Sequence, residues 1–280
     1  MLKTADIRSA LRGFAAAGAL GFGVISYTYL TLPDVRPLAT RNPTTTAFME
    51  LREREASQSG RAGHRVQRWV PYTRISQHLK RAVIVAEDGA FFEHEGIDVE
   101  QIKQSIQTSI ERGQAVRGAS TITQQLAKNL YLSPSRDPLR KLRELVIARR
   151  LEAALPKARI FEIYLNVIEW GDQVWGAEAA ARTYFGVPAS ALSTEQAALL
   201  AGAIINPRLY SPARPPARLL RRQHLILARM GSVEPPAPVR VAAPTVEADR
   251  LEGALPTPPD ESGSPAEPES SPAPAAEPPA

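Results

Sequence analysis

The stretch "STITQQLAKNLYL", residues 120–132, has the apolar spacing of a helix that is buried on one side. Ile122, Leu126 and Leu130 recur every four residues, which places their side chains on the same face of an α-helix. A strand would instead alternate apolar and polar residues with a period of two. The stretch therefore predicts an amphipathic core helix and favours a mainly helical domain.

This helix, which is expected to begin at Ser120 or Thr121, also has a polar face. Thr121, Gln125 and Lys128 fall at i, i+4 and i+7 and share that face. Two uncharged hydrogen-bonding groups and one cation can hold a phosphate or a sugar amide. A solvated polar face without function explains the same spacing, and the helix alone does not decide between the two interpretations.

Helical spacing and helix end signals recur along residues 69–230. An N-cap side chain, an initial proline or a terminal glycine marks the end of a helix. These signals predict helices from Asp98 to Gly113, from Asp137 and Pro138 through Ala153, from Arg159 to Glu169 before Gly171, and from the capping box "STEQ" at 193–196 to before Pro207. Few segments alternate with period two, so the domain is predicted to be mainly α.

A membrane anchor is predicted near the N-terminus. Residues 13–32 are twenty consecutive uncharged residues, about the length that a helix needs to cross a bilayer core of ~30 Å. Lys3, Arg8 and Arg12 precede them, so the N-terminus is expected in the cytoplasm and the rest of the chain outside. A cleaved signal peptide is less consistent with an apolar stretch of this length that no A-x-A site follows.

Composition divides the chain into five segments. Three prolines suggest an extended segment after the anchor, and 13 of the 25 prolines lie in the last 50 residues, a composition typical of disorder. The predicted segments are a basic cytoplasmic N-terminus (1–12), a transmembrane anchor (13–32), an extended juxtamembrane segment (33–68), a folded domain (69–230) and a disordered acidic Pro/Ala/Glu-rich tail (231–280).

The charge of the chain limits its ligands. Residues 1–230 carry a net charge of +12, since the whole chain totals +5 and the segment from Gly231 onward carries −7. A basic surface suits anionic lipid, phosphorylated ligands or nucleic acid, but no zinc-finger, basic-zipper or RNP pattern is present, so no nucleic-acid partner is expected. The chain has no cysteine, which excludes a thiol nucleophile and thiolate metal ligands.

A cluster of acids stands at "AEDGAFFEHEG", residues 86–96. The apolar run "AVIVA" leads directly into Glu87, which is expected where a packed helix ends. Burial beside apolar groups raises the pKa of a carboxyl and suits it to general acid/base catalysis. Asp88 or a nearby cation would act in the opposite direction or orient the carboxylate, and a metal site that includes His94 remains an alternative.

A third group is the charged run "RKLRE", residues 140–144. Glu144 lies four residues after Arg140 and three after Lys141. By itself this spacing is explained by an ordinary surface salt bridge, worth a few tenths of a kcal/mol.

The order of the motifs is more specific than any one of them. The chain carries, in sequence, "EDGAFFEHEG", "RGASTITQQLAKNLYL", "RKLRELVIARRLE", "IFEIYLNVIEWGDQVWGAEAAARTYFG" and "LSTEQAALLAGAIINPRLYSP". Together these resemble the successive motifs of the peptidoglycan glycosyltransferases over residues 69–230. The upstream stretch "LPDVRPLATRNPTTTAFMELR" resembles the monofunctional, membrane-anchored members found in Gram-negative bacteria.

The resemblance implies a reaction. Such enzymes polymerise lipid II into β-1,4-linked strands, with inversion at the anomeric carbon of an undecaprenyl-pyrophosphate-linked donor. It implies that Glu87 is the general base on the acceptor 4-hydroxyl. It also implies that Glu144, the second catalytic residue, helps position the leaving pyrophosphate with Arg140 and Lys141. Glu144 could do so as an organiser of cations or through a divalent cation, Mg²⁺ or Mn²⁺, and the two are left open.

The resemblance also implies a fold and further site residues. The fold is lysozyme-like and mainly α, with a small subdomain facing the membrane that is expected around residues 97–135. Substrate-binding positions are implied at Asp88, Phe91, His94, Thr121, Gln125, Lys128, Arg140 and Lys141. The first three are assigned mainly to shaping the site, and Asp88 is also expected to orient Lys or Arg groups.

Partners and location follow from the same resemblance. Lipid II, the growing lipid-linked strand and membrane lipids are the expected partners, and cell-division or elongation proteins are further candidates. The catalytic domain is expected in the periplasm, held by a single pass through the inner membrane. No S-x-x-K, S-D-N or K-T-G motif is present, which excludes a transpeptidase activity for this chain. Glycan hydrolysis and a membrane-anchored wall-binding scaffold without activity are the remaining alternatives.

Overall fold

The computed structural model describes residues 4–60, 65–113, 120–132, 138–232 and 235. Parts of the sequence predictions therefore lie outside the described residues: the basic Lys3, residues 61–64 of the extended segment, residues 114–119 and 133–135 of the membrane-facing subdomain, the Asp137 N-cap and the tail at 233–234 and from residue 236 onward.

The described residues are mainly helical, which confirms the predicted fold class and is consistent with a lysozyme-like domain. The helices are α1 (Thr4–Leu30), α2 (Ala47–Gln58), α3 (Gln77–Glu87), α4 (Val99–Arg112), α5 (Ile122–Tyr131), α6 (Pro138–Ala154), α7 (Lys157–Val167), α8 (Ala177–Phe185), α9 (Thr194–Ala203) and α10 (Ala217–Arg229). Short 3-10 turns lie at Arg36–Ala39, Tyr72–Arg74, Ala189–Ala191 and Met230–Ser232.

A small sheet of three strands accompanies the helices. Its strands are β1 (Val66–Gln67), β2 (Glu169–Gly171) and β3 (Val174–Trp175). The central strand β3 runs parallel to β1 and antiparallel to β2. The sheet ties the segment before α3 to the hairpin after α7.

Helix ends follow the predicted chemistry. The Asp98 carboxylate caps α4 and the Thr121 hydroxyl caps α5, while Ser193 and Gln196 form the reciprocal capping box of α9. Helix α4 ends at Gly113, which has a φ of 61°. These bonds satisfy backbone N–H groups that a helix leaves without intrahelical partners, so the local sequence fixes where these helices begin.

The prediction that residues 33–68 are extended is wrong for Ala47–Gln58, which form α2. The Thr46 hydroxyl accepts a hydrogen bond from the Met49 backbone N–H and starts the helix. Met49 is buried in the main core, and α2 packs against α5. The last of the three prolines precedes this cap, so prolines restrict the backbone upstream but not the helix.

The predicted helix at 159–169 begins and ends earlier than expected. Helix α7 ends at Val167, and Glu169 begins strand β2. Asn166 fixes this transition, because its side chain donates to Val70 O and accepts from Val70 N. A long-range side-chain bond of this kind replaces further helical bonds, and the local spacing gives no sign of it.

Helix α1 contains a segment, Arg12–Leu30, of 19 residues that is long and apolar enough to cross a membrane. Its large apolar side chains, including Phe14 and Phe22, are exposed in the isolated chain. Near its C-terminal end, the Arg150 guanidinium of α6 stacks over the Tyr29 ring and donates to Tyr29 O at 2.9 Å. The helix is compatible with a single-pass membrane anchor. Its apolar segment is one residue shorter than the anchor predicted at residues 13–32.

Helix α5 is surrounded by other helices of the core. Helix α5 packs against α2, α6 and α7, while α3 packs against α9 and α10. Ile122 and Leu126 are fully buried, as the four-residue spacing predicted. Because the apolar side of α5 is covered by these neighbours, its remaining polar groups are brought against α3 and α6.

Candidate active site

Glu87 is the last residue of α3, and its side chain is 11% exposed. The apolar face of α3, which includes Leu79, Val83 and Ile84, is buried against the core. The next N–H, from Asp88, closes the final turn on Ile84 O at 2.9 Å. The expectation that this carboxylate sits where a packed helix ends is therefore confirmed.

Both carboxylate oxygens of Glu87 accept hydrogen bonds from other helices. Gln125 Nε2 of α5 donates to Oε2 at 3.0 Å, and Arg222 Nη2 of α10 donates to Oε1 at 3.3 Å. Burial raises the pKa of Glu87 above its ordinary value, and the Gln125 bond, Arg222 and the charge of Lys128 act in the opposite direction. The group combines burial, which makes it a better proton acceptor, with donors that keep its ionised form accessible.

Among the described residues Asp88 pairs with no lysine or arginine, although the resemblance implied that it orients such groups. It is buried and accepts from the Ile122 N–H at 2.9 Å, the first helical N–H of α5. Its other oxygen lies 3.0 Å from His94 Nε2. Asp88 thus joins the loop after α3 to the start of α5 and holds the two in register.

The His94 ring fits a structural role better than a metal ligand. Asp88, His94 and Asp98 offer ligand atoms within 4.8 Å of one another. However, His94 Nδ1 accepts from the Gly96 N–H at 3.1 Å, so the ring proton lies on Nε2 and points at Asp88. Neither ring nitrogen keeps a free lone pair, and Asp98 already caps α4. This arrangement does not fit a divalent cation.

Phe91 belongs to the loop that follows α3, and its side chain is fully buried beneath the loop. Its ring contacts Phe92 edge to face at 4.8 Å and Phe161 at 5.5 Å between centroids. Lys157 Nζ lies 4.5 Å from its centroid. Phe91 therefore shapes the loop by packing, as the sequence suggested.

Thr121 does not lie on a solvated face, although Gln125 and Lys128 are both partly exposed. Its side chain is fully buried, and its hydroxyl donates to Gly96 O at 2.7 Å while accepting from the Gln124 N–H. The periodicity placed Thr121 correctly on the helix, but the N-cap position turns its side chain into the protein. Its contact with substrate stays a prediction, since its hydroxyl already donates one hydrogen bond and accepts another within the fold.

In the charged run of α6, Glu144 is buried, whereas Arg140 and Lys141 are partly exposed. The Glu144 side chain is 4% exposed, and it accepts from Arg140 Nη1 at 2.6 Å and from Lys141 Nζ at 2.5 Å. Lys141 Nζ also reaches Gln124 Oε1 at 3.1 Å and lies 3.4 Å from Ser120 Oγ. Both oxygens of Glu144 are thus occupied by cations, which favours an organiser of cations over a metal ligand.

Lys128 links the two halves of the site. Burial lowers its pKa, as do the neighbouring charges of Arg140 and Lys141, whereas Glu144 and Glu87 raise it. The ammonium therefore lies within electrostatic range of both carboxylates. Residues from α3, α5 and α6 converge here on one carboxylate that can accept a proton and on three cations that can hold an anion.

Comparison with known proteins identifies the family. Residues 53–231 match the family model for transglycosylases. The chain belongs to the transglycosylase family.

The chain matches relatives named "Biosynthetic peptidoglycan transglycosylase", and each match covers most of the relative's length. The relative from Nitrosospira multiformis is 48% identical over 195 residues, which is 70% of this chain and 85% of the relative. The one from Laribacter hongkongensis is 50% identical over 195 residues, with 70% and 86% covered. The one from Thiobacillus denitrificans is 46% identical over 225 residues, with 80% and 96% covered. The resemblance to the peptidoglycan glycosyltransferases is confirmed.

Two residues of this transglycosylase that contact the site were missed by sequence reasoning. Tyr164 of α7 donates its phenol proton to Gln125 Oε1 at 2.9 Å, and Arg222 of α10 reaches Glu87. Tyr164 stands in the apolar run "IYLN", where it has the signature of a core residue. Arg222 stands among other arginines in "RLLRRQ", and no local pattern distinguishes it.

Proposed function

We propose that this chain polymerises lipid II into linear β-1,4-linked glycan strands of peptidoglycan. The donor is the strand carried on undecaprenyl pyrophosphate, and the nucleophile is the 4-hydroxyl of the GlcNAc of lipid II. Transfer inverts the configuration at the anomeric carbon of the donor. Family membership and the names of the relatives support the transglycosylase activity.

One observation carries the mechanism: Lys128 interacts electrostatically both with Glu87, the proposed base, and with the group formed by Glu144, Arg140 and Lys141. Glu144 holds Arg140 and Lys141 in that group. Inverting transfer needs a base at the acceptor hydroxyl and positive charge at the departing pyrophosphate. We propose that Glu87 meets the first need and the three cations meet the second.

The proposed step is a single displacement. Ionised Glu87 takes the proton of the acceptor 4-hydroxyl while that oxygen forms a bond to the anomeric carbon of the donor. The bond from this carbon to the pyrophosphate oxygen breaks, and its electron pair leaves with the pyrophosphate. Arg140, Lys141 and Lys128 stabilise the negative charge that develops there, and the planar fork of Arg140 suits phosphate oxygens.

The other predicted residues are proposed to shape the cleft. Asp88 and His94 hold the loop against α5, Phe91 supports it from below, and Thr121 fixes the start of α5. Gln125 is proposed to contact Glu87 as well as substrate. Lys141 is proposed to attract the pyrophosphate by its charge, because its three N–H donors already face Glu144, Gln124 and Ser120.

The chain is proposed to work at the outer surface of the inner membrane. Helix α1 would span the bilayer with the catalytic domain in the periplasm. On α4, Val99, Ile106 and Ile110 are exposed, the last of them 77%, which suits the predicted contact with lipid. Contacts with cell-division or elongation proteins stay a prediction.

Incubation of the purified full chain with labelled lipid II tests the proposal. The expected product is a polymer that muramidase digests, and moenomycin, a phosphoglycolipid that resembles the donor, should suppress it. A chain that binds lipid II without forming polymer would instead be a wall-binding scaffold. Release of shorter fragments from preformed glycan would indicate hydrolysis.

A further inference from the structure

The carboxylate of Glu87 is held from two sides by helices that are distant in sequence. Gln125 lies 38 residues away and Arg222 lies 135 residues away, and each donates to a different oxygen. A carboxylate on a free side chain would sample several rotamers. Two donors on separate oxygens restrict both the position and the rotation of the group.

Tyr164 determines which end of the Gln125 amide faces Glu87. Its phenol donates to Gln125 Oε1 at 2.9 Å and is fully buried. A side-chain amide has its acceptor and its donors on opposite branches. With Oε1 bound to the phenol, the NH₂ group faces the carboxylate, and the reversed amide would set an oxygen against Glu87. Burial keeps Tyr164 protonated, because it raises the pKa of the phenol well above its ordinary value.

Arg222 is anchored at the end of α3 by the same guanidinium nitrogen that reaches Glu87. Arg222 Nη2 lies 3.2 Å from Ala86 O and 3.3 Å from Glu87 Oε1. A backbone carbonyl near a helix C-terminus carries partial negative charge and attracts a cation. The backbone contact therefore places this positive charge beside the carboxylate whichever rotamer Glu87 prefers.

We infer that Tyr164 and Arg222 are positioning residues for Glu87, Tyr164 by orienting the Gln125 amide and Arg222 by holding the second carboxylate oxygen. This inference rests on the proposed function, in which Glu87 is the base. Neither residue needs to touch substrate. Their shared effect is a carboxylate whose orientation and charge state are set before the acceptor arrives.

The charges around Glu87 give each substitution a distinct signature. Arg222 and Lys128 face it as cations, Asp88 follows it in the chain, and neutral Tyr164 lies behind Gln125. Loss of Arg222 removes a cation and raises the pKa of the base further. Loss of the Tyr164 hydroxyl leaves all these charges in place and frees the amide to turn.

The test is the pH dependence of lipid II polymerisation by the full-length chain in liposomes, from about pH 5 to about pH 9. Arg222→Gln is expected to shift the acid limb, the low-pH side of the kcat/KM profile, to higher pH by about one unit. At any pH on that limb, kcat/KM should then be about tenfold lower than in the unaltered chain. Arg222→Lys restores the charge and should recover most of the shift. Tyr164→Phe is expected to lower kcat about tenfold, with little change in KM or in the acid limb.

Matched controls remove the same groups elsewhere. Tyr184→Phe deletes a partly buried phenol that contacts Trp170 O, and Arg221→Gln deletes the exposed neighbour of Arg222. Both should keep the pH profile of the unaltered chain. Thermal unfolding of every variant checks the fold. If Arg222→Gln does not fold, Arg222→Met replaces it, and it should show the same upward shift of the acid limb that Arg222→Lys largely reverses.

The outcomes separate this inference from the proposed function. If the unaltered chain makes no polymer, or if Glu87→Gln is fully active, the proposed function or its base is wrong. If the chain is active and Glu87→Gln is not, yet the Tyr164 and Arg222 variants keep the original kcat and acid limb, the positioning role alone is overturned.

Discussion

Lys141 Nζ and Glu144 Oε1 lie 2.5 Å apart on one turn of α6, and the Glu144 side chain is almost completely buried. A pair at this spacing on a helix surface contributes little. Here Arg140 occupies the other oxygen, so a single buried carboxylate fixes two cations. The cations are therefore in place before an anion binds, which reduces the reorganisation that binding requires.

Replacing Glu144 with Gln is expected to weaken both donor binding and the fold. Arg140 and Lys141 would repel each other without the carboxylate, and we expect a loss of roughly 2 kcal/mol in the free energy of unfolding. Donor affinity should fall about tenfold. Thermal unfolding and equilibrium binding of a donor analogue measure the two effects.

Glu100→Gln is the matched control for this variant. Glu100 pairs with Lys103 on α4 at the same i, i+3 spacing, but the two side chains are 70% and 69% exposed. An effect of equal size in both variants would contradict the importance of burial at Glu144.

Glu87→Gln is expected to lower kcat for polymerisation by roughly a thousandfold, because the amide cannot accept the proton of the hydroxyl. Its shape is nearly that of the carboxylate, so affinity for a donor analogue should stay close to that of the unaltered chain. Glu93→Gln, on the exposed part of the same loop, serves as the control. Polymer formation at the normal rate by the Glu87 variant would assign the base to another group.

The stability of the chain should depend on the charge of Glu87. Burial raises its folded pKa above the ordinary value of 4.5. The folded state then holds the proton more tightly than the unfolded state, so the stability that it contributes is present at low pH and is lost as pH rises from about 4.5 through the folded pKa. Glu87→Gln should therefore be at least as stable as the unaltered chain at neutral pH.

Denaturant unfolding at several pH values measures the difference in free energy of unfolding between Glu87→Gln and the unaltered chain. This difference should shrink as pH falls toward the ordinary pKa of a glutamate, because the side chains at position 87 are then neutral in both proteins. A variant that becomes less stable than the unaltered chain as pH rises would mean that Arg222 and Gln125 outweigh the cost of burial.

Lys128→Ala is expected to weaken binding of moenomycin about tenfold, because one charge-assisted hydrogen bond to phosphate is lost. Lys128 also lies 5.6 Å from the Phe48 ring centroid, so the alanine removes packing as well. Lys128→Gln, which keeps most of the side chain, separates the two effects. Lys103→Ala on exposed α4 is the control, and unchanged affinity in both Lys128 variants would place the phosphate site elsewhere.

Local sequence was sufficient for the helices and for half of the site. The caps at Asp98, Thr121 and Ser193 and the end of α4 at Gly113 depend on side chains within four residues, and they were predicted correctly. The prediction was wrong at Ala47–Gln58 and at the end of α7. In both places a distant partner decides: α5 covers α2, and Val70 binds Asn166.

The exposure of the site residues could not be predicted from periodicity. Thr121 and Glu144 both fit a polar helix face in the sequence, yet both are buried and fully hydrogen-bonded. Burial depends on which helix packs against that face. The sequence spacing contains no information about the neighbour.

The sequence by itself determined the family, the helical class, the apolar N-terminal helix and the polar residues that carry the proposed chemistry. Motif order and helix caps are properties of neighbouring residues. Only the tertiary structure decided that Glu144 is buried while it pairs with Arg140 and Lys141. It also decided that the Glu87 carboxylate accepts hydrogen bonds from Gln125 and Arg222. Those contacts join helices up to 135 residues apart. They exist because α3, α5, α6 and α10 bury their apolar faces together, and the polar groups that remain have to satisfy one another.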